Sequence, residues 1–116
     1  MRPETRLQRE ILAHIKKRGF WPVHVPNGSV LAGNKSARAR QMNALKADGL
    51  KVGFPDLCIY NSERRIGHIE VKTEKGRQSE AQKTCQAMLE SMGHLYAIAR
   101  SVDDVDEALK AWGWLV

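Results

Sequence analysis

"GFPDLCIYNSERRIGHIEVKT", residues 53–73, alternates two short apolar runs around a polar turn, and it places two acids and a lysine where a sheet is being built. Alternation and β-branched residues read as strands over 56–60 and 66–72 with a turn over 61–65. With the turn centred on Glu63, opposite residues are equidistant from it, so Asp56 faces Glu70. Directly opposed residues of an antiparallel pair have Cα atoms about 4.5–5.5 Å apart and project to one face. The same alternation puts Lys72 on that face and Leu57, Ile59, Ile69 and Val71 on the other, apolar one. Two carboxylates so placed repel unless a cation sits between them. A hard divalent ion such as Mg²⁺ takes one or two carboxylates, backbone carbonyls and waters. Lys72 is placed to orient a water or to compensate charge. The bland alternative is a surface hairpin with a solvated Glu70–Lys72 pair. The combination Gly-x-Pro-Asp, then Glu-Val-Lys, with apolar residues at the inward positions favours the metal site.

The rest of the chain sets the frame. At 116 residues with 42% hydrophobic content it is predicted to be one domain, 1–116, able to build its own core. Cys58 and Cys85 have no CxxC spacing and fall in apolar surroundings, so they read as reduced core thiols rather than zinc ligands. No apolar run approaches the ~18 residues of a membrane span, and "MRPETRLQRE" has no signal-peptide core, which reads as a cytosolic protein with no membrane partner. Nineteen Lys+Arg against thirteen Asp+Glu give a net charge of +6, a balance that favours a polyanionic partner. Lys35, Arg38, Arg40, Lys46 and Lys51 cluster with only Asp48 opposing them.

Residues 4–18 carry a helical stripe. At 100° per residue from Glu4, Leu7, Ile11, Ile15 and Leu12 fall at roughly 300°, 340°, 20° and 80°. Gly19 closes this helix. "FWPVHV" (20–25) is an edge strand, because Pro22 cannot donate to a ladder, and "PNGS" is a turn. A basic helix over 35–47 ends at Gly49. Ser79 opens a helix to about residue 91, 94–99 is a buried strand, and 103–112 is a last amphipathic helix. The order α-β-(α)-β-β-α-β-α predicts an α/β fold, a mixed sheet flanked by helices.

Glu4 lies at the centre of the first helix's apolar stripe, whereas Glu10 lies at roughly 240° on the solvated face. An acid in a buried stripe needs a partner or a metal; at a first turn, dipole complementarity or fraying are alternatives. Ser79-x-x-Gln82 is a capping box, which by itself explains both residues. Pro26-Asn27-Gly28 is turn chemistry that explains Asn27 and leaves His24 unexplained. His14 and His94 read as structural. His68 shares the face of Glu70 without an evident role, and Trp112 and Trp114 read as core or subunit contact.

Taken in order, "ETRLQ", "HVPNG", "GFPDL", "IEVKTEKGRQSEAQ" and "VDEALKAWG" resemble the VRR-NUC family of the PD-(D/E)xK nuclease superfamily, in its small stand-alone phage and bacterial form. Phe54 departs from that pattern, which takes a smaller residue there. The resemblance implies a restriction-endonuclease-like fold and a DNA endonuclease using Mg²⁺ or Mn²⁺, in a bacterial or phage-infected cytoplasm. Asp56, Glu70 and the Val71 carbonyl would hold metal, with Glu4 binding it directly or through water. Lys72 would assist the attacking water, and Gln82 would sit beside the site as well as, or instead of, capping its helix. His24 and Asn27 would lie near the cleft and meet phosphate or substrate. Lys35, Arg38, Arg40 and Lys46 would track the DNA backbone, since phosphate contacts position without reading sequence. One metal cluster suits one scission, so a homodimer acting on branched, Holliday-junction-like DNA is expected, with the apolar tail "AWGWLV" as the candidate contact. The alternative for that tail is a monomer that tucks it into its own core. The rival functions are a basic nucleic-acid-binding module without activity and a partner protein with a salt-bridged hairpin surface.

Overall fold

Four strands make one mixed sheet in the order β1-β2-β3-β4: β1 (Trp21–His24), β2 (Leu57–Tyr60), β3 (Ile66–Val71) and β4 (Leu95–Ala99). The computed structural model describes residues 1–26, 31–63 and 65–115, so Asn27 of the expected site lies outside the described residues. β1, β2 and β3 pair antiparallel, with Leu57 opposite Ile69 as the hairpin reading requires. Asn61 Oδ1 accepts from the Glu63 N–H inside the connecting turn. β3 and β4 pair parallel, and the return is made by helix α3 (Glu80–Ser91), because parallel neighbours need a crossover connection. Pro22 sits on the edge strand, where its missing donor costs nothing.

The two faces of the sheet are covered differently. Leu57, Ile59, Ile69, Val71 and Ala99 point into a core closed by Ile11 and Ile15 of α1 (Pro3–Lys17) and by Val105, Ala108 and Leu109 of α4 (Val102–Ala111). α1 and α4 are tied at their surface by Asp106, which accepts from His14 Nε2 (2.7 Å) and from Arg18 Nη2 (2.9 Å). On the other face Cys58, His68 and Tyr96 lie beneath Cys85 and Leu89 of α3. Both cysteines are buried and unpaired by disulfide. No described helix is long and apolar enough to cross a membrane.

The C-terminal segment packs as the monomer alternative expects. Trp112 packs where β3 has no side chain: a Cβ on Gly67 would lie 2.4 Å from its ring. Trp114 lies edge-on to Trp112 (5.2 Å) and tilted against Phe20 (5.3 Å). The tail therefore packs on the core of its own subunit through residue 115, with Trp114 and Leu115 half-buried. Helix α2 (Lys35–Ala47) stands apart from this packing. It is capped by Asn34 and has no fully buried residue. Ala37, Gln41, Met42 and Leu45 are half-buried along one side, and Lys35, Arg38, Arg40 and Lys46 are exposed.

Candidate active site

Asp56 and Lys72 lie one residue outside the strands, where β2 begins and β3 ends. Backbone bonding nonetheless continues: Val25 N–H donates to the Asp56 carbonyl (2.9 Å) and Lys72 N–H to the Ala99 carbonyl (3.0 Å). Asp56 thus stands just before β2, while Glu70 lies inside β3, one residue from its end.

The loop before Asp56 is fixed by close approach. Gly53 has φ +86°, and a Cβ there would lie 2.4 Å from the Ala81 carbonyl carbon and 2.7 Å from the Gln82 nitrogen. Only glycine lets this backbone lie against the first turn of α3. Cys85 Sγ donates to the Val52 carbonyl (3.4 Å), and Pro55 is fully buried. Phe54, the departure from the family pattern, turns its ring edge-on to His68 (5.7 Å), on the covered side of the sheet. Asp56 is then held at both ends. Its carbonyl accepts from His24 Nδ1 (2.9 Å), and its Oδ2 accepts from Val71 N–H (2.7 Å).

Glu70 is 1% exposed. Gln82 Nε2 donates to its Oε2 (3.2 Å), while Oε1 is buried with no hydrogen-bond partner among the described residues. Gln82 also closes the capping box: its Oε1 accepts from Ser79 N–H (2.8 Å) and its own N–H donates to Ser79 Oγ (3.1 Å). One amide therefore performs both tasks, capping with its oxygen and reaching Glu70 with its nitrogen. Burial pushes the Glu70 carboxyl up to about 9; the hydrogen bond and charge of Asp56 add to this, Lys72 opposes it and Glu4 adds further. At neutral pH, without metal, this raised value favours the protonated form of Glu70.

A cavity of about 320 Å³ opens over the pair, lined by Glu4, Gln8, His24, Asp56, Glu70 and Gln82. Arg2 and Thr5, which carry no motif in the sequence, join them from the start of α1. Their one signal is adjacency to Glu4 at an uncovered helix end. Glu4 itself is exposed rather than buried in the stripe, because the first turn of α1 overhangs the cavity beyond the core that begins at Leu7. Its phase is nevertheless the one expected, and its charge reaches Glu70, while Glu10 does not line the cavity. Lys72 is half-buried, and its ammonium makes no ion pair or hydrogen bond among the described residues. Tyr96 is a further neighbour that no sequence motif marks. Its hydroxyl accepts from Gln78 Nε2 (3.0 Å), and burial, with the charges of Glu70 and Asp56 adding, pushes the phenol up to about 12.

The donor set fits a hard divalent cation. A buried, unpartnered Glu70 oxygen, a neighbouring carboxylate and an adjoining polar cavity are an oxygen-rich environment. Among the described residues no three His, Cys, Asp or Glu side chains are already gathered for a metal; Glu4 borders the cavity without closing on the pair. The basic residues of α2 are not at this cavity. Lys46 instead lines a broader hollow of about 610 Å³ with Lys51, Ala81 and Thr84.

The proton on Glu70 has a consequence for stability. Its folded value of about 9 lies above the usual 4.5, so the folded state binds more protons between these values. Stabilisation is complete below about 4.5 and is lost as pH rises towards 9. His68 works the other way: burial, then His94, lowers it from 6.5 to about 4, so its contribution is present above 6.5 and lost as pH falls towards 4. In EDTA, Glu70→Gln is expected to raise the melting temperature more at pH 8 than at pH 5, which a pH series of thermal melts checks.

A family model described as the VRR-NUC domain matches residues 2–103. Among solved structures, one titled "VRR_NUC domain protein" is 22% identical with a TM-score of 0.73, covering 97% of this chain and 88% of its own. Another, titled "VRR_NUC domain", is 17% identical with a TM-score of 0.64, covering 94% and 96%. At these identities the structural likeness establishes the fold, a four-stranded mixed sheet flanked by helices. No curated protein matches the chain. The family match over most of the sequence decides the assignment: the chain belongs to the VRR-NUC family, a nuclease-type domain.

Proposed function

We propose that the protein is a divalent-metal-dependent DNA endonuclease. The observation that carries this reading is the Asp56–Glu70 pair: two neighbouring carboxyls, one before β2 and one within β3, the latter buried with an oxygen unpartnered among the described residues, beside a polar cavity. Asp56, Glu70 and the Val71 carbonyl would hold Mg²⁺ or Mn²⁺, with Glu4 closing on it from α1. Such an ion supplies positive charge to the phosphate and makes hydroxide available near neutral pH. The chain's own groups do the rest. Val71 N–H and His24 hold Asp56 in place, and Gln82 orients Glu70. The Lys72 ammonium would position the attacking water and steady the charge that develops at phosphorus. His24 and Arg2 border the cavity where a phosphate would enter. Incubation with DNA in Mn²⁺ or in EDTA tests this: cleavage in Mn²⁺ alone supports it, and DNA binding without cleavage in either favours an inactive binding module.

Glu4→Gln is expected to lower cleavage by roughly tenfold or more, and Glu10→Gln by less than about twofold. Comparable losses would show that the wrong acid of α1 has been assigned.

The exposed cations of α2 would run along the phosphate backbone. Replacing Lys35, Arg38 and Arg40 by Ala should flatten the slope of log K against log salt by about 0.9 for each phosphate no longer neutralised. A slope that stays the same would turn this helix away from DNA.

We further propose that branched DNA is preferred and that a two-fold dimer supplies two sites, because paired scission of a junction needs two metal clusters. Light scattering, together with cleavage of four-way junctions against linear duplex, separates this from a monomer that nicks without preference.

A further inference from the structure

Lys72 has a long stem and no ion pair among the described residues, yet a lysine that assists a reaction must be held. The segment after it explains how. At the end of β4 the backbone N–H of Arg100 donates to Asp104 Oδ2 (2.8 Å), and Asp104 N–H donates to Ser101 Oγ (3.1 Å) at the start of α4. The Arg100 side chain then reaches back across the sheet end. A single nitrogen, Nη1, donates to the carbonyls of Thr73 (2.7 Å) and Gly76 (2.6 Å), with a longer contact to Glu74 (3.3 Å). Three carbonyls of one short loop converge on one cationic donor, and Gly76 N–H closes the loop on Thr73 (3.0 Å). The loop in turn lies on the lysine: a Cβ on Gly76 would be 3.3 Å from Lys72 Cδ.

We propose that Arg100 is a positioning residue for Lys72, acting by folding loop 73–76 against the lysine's stem. Nothing in the hairpin motif contains this arginine; it arrives from β4 because the parallel pairing places Ala99 beside Val71. Arg100 draws the loop's carbonyls together, the closed loop narrows the space open to the Lys72 stem, and the lysine is kept where its charge reaches Glu70. The kinetic part of this inference rests on the proposed nuclease reading; the structural part does not.

Arg100→Met, Arg100→Lys and Gly76→Ala in the whole protein test it. In the metal-free protein, Arg100→Met should open the loop, speeding trypsin cleavage after Lys75 by about tenfold. It should also move the Lys72 Cε–Hε NMR signals towards those of a free lysine. With Mn²⁺ and DNA, kcat should fall by about tenfold while KM and Mn²⁺ affinity stay within about twofold. Arg100→Lys should restore much of each property, since one nitrogen makes all three contacts. Gly76→Ala should leave the loop closed to trypsin but shift the Lys72 signals and lower kcat, and it decides the matter if Arg100→Met does not fold. Unchanged Lys72 signals in an Arg100→Met protein whose loop has opened would overturn the proposal, as would unchanged signals in Gly76→Ala. Shifted signals in these variants, with a wild-type protein that cuts no DNA, would instead sink the nuclease reading and leave the positioning role standing.

Discussion

Asp56→Ala and Glu70→Ala are each expected to lower Mn²⁺-dependent DNA cleavage by roughly a thousandfold or more, equivalent to about 4 kcal/mol of lost transition-state stabilisation. Both variants should remain folded, for different reasons. Asp56 is half-buried, and its removal costs the carboxylate's bond to Val71 N–H. Glu70 is buried against its preference, so Ala relieves one unfavourable group while leaving Gln82 still able to cap α3 through its oxygen. Lys72→Ala should separate from both: turnover falls by a comparable factor, but Mn²⁺ still binds, because a lysine ammonium would oppose the metal's charge rather than ligate it. Single-turnover cleavage read beside calorimetry makes the distinction. Either acid variant cutting at the wild-type rate would remove the pair from the reaction.

The second large effect concerns the fold around the site. Gly53→Ala is expected to destabilise the protein by about 3 kcal/mol and to lower its melting temperature by roughly 12 °C. Two costs combine. The left-handed backbone at φ +86° disfavours any side chain by about 1–2 kcal/mol, and the new Cβ would overlap the Ala81 carbonyl at the start of α3. Gly19 supplies the control. It has φ +91° with open space around it, so Gly19→Ala carries the backbone cost alone, about 1 kcal/mol. The difference between the two melts isolates the close approach. Because the loop and α3 deliver Asp56 and Gln82 to the same cavity, cleavage by Gly53→Ala should fall further than its stability alone explains. Equal losses at the two glycines would mean that α3 yields freely and that the contact does not fix the site.

The hairpin is legible in the sequence because alternation and a short turn leave little freedom of register: one slip would send Ile69 out of the main core to the face beneath α3. The phase of Glu4 is legible from the helical period, but its exposure is not, since a wheel does not say where the sheet beneath a helix ends. The packing of "AWGWLV" is hidden in the sequence for a related reason. A tryptophan at a chain end looks unsatisfied until Gly67, forty-five positions earlier, is seen to leave a hollow in β3 that Trp112 fills. Gln82 reads equally as cap or as site residue; an amide has two ends, and each is used. Arg100 leaves no trace at all in the sequence, because its partners are main-chain carbonyls, which every residue carries.

If Asp56 and Glu70 together hold a divalent cation, Glu70 must give up its proton as the ion binds. Titrating Mn²⁺ into the metal-free protein by calorimetry at pH 7, in buffers of different ionisation enthalpy, measures binding and proton release together. Binding should release about one proton, because the ligands must ionise, and both binding and release should be lost in Asp56→Asn and Glu70→Gln. Mn²⁺ binding of unchanged affinity in those two variants, or none in the wild-type protein at millimolar metal, would contradict it.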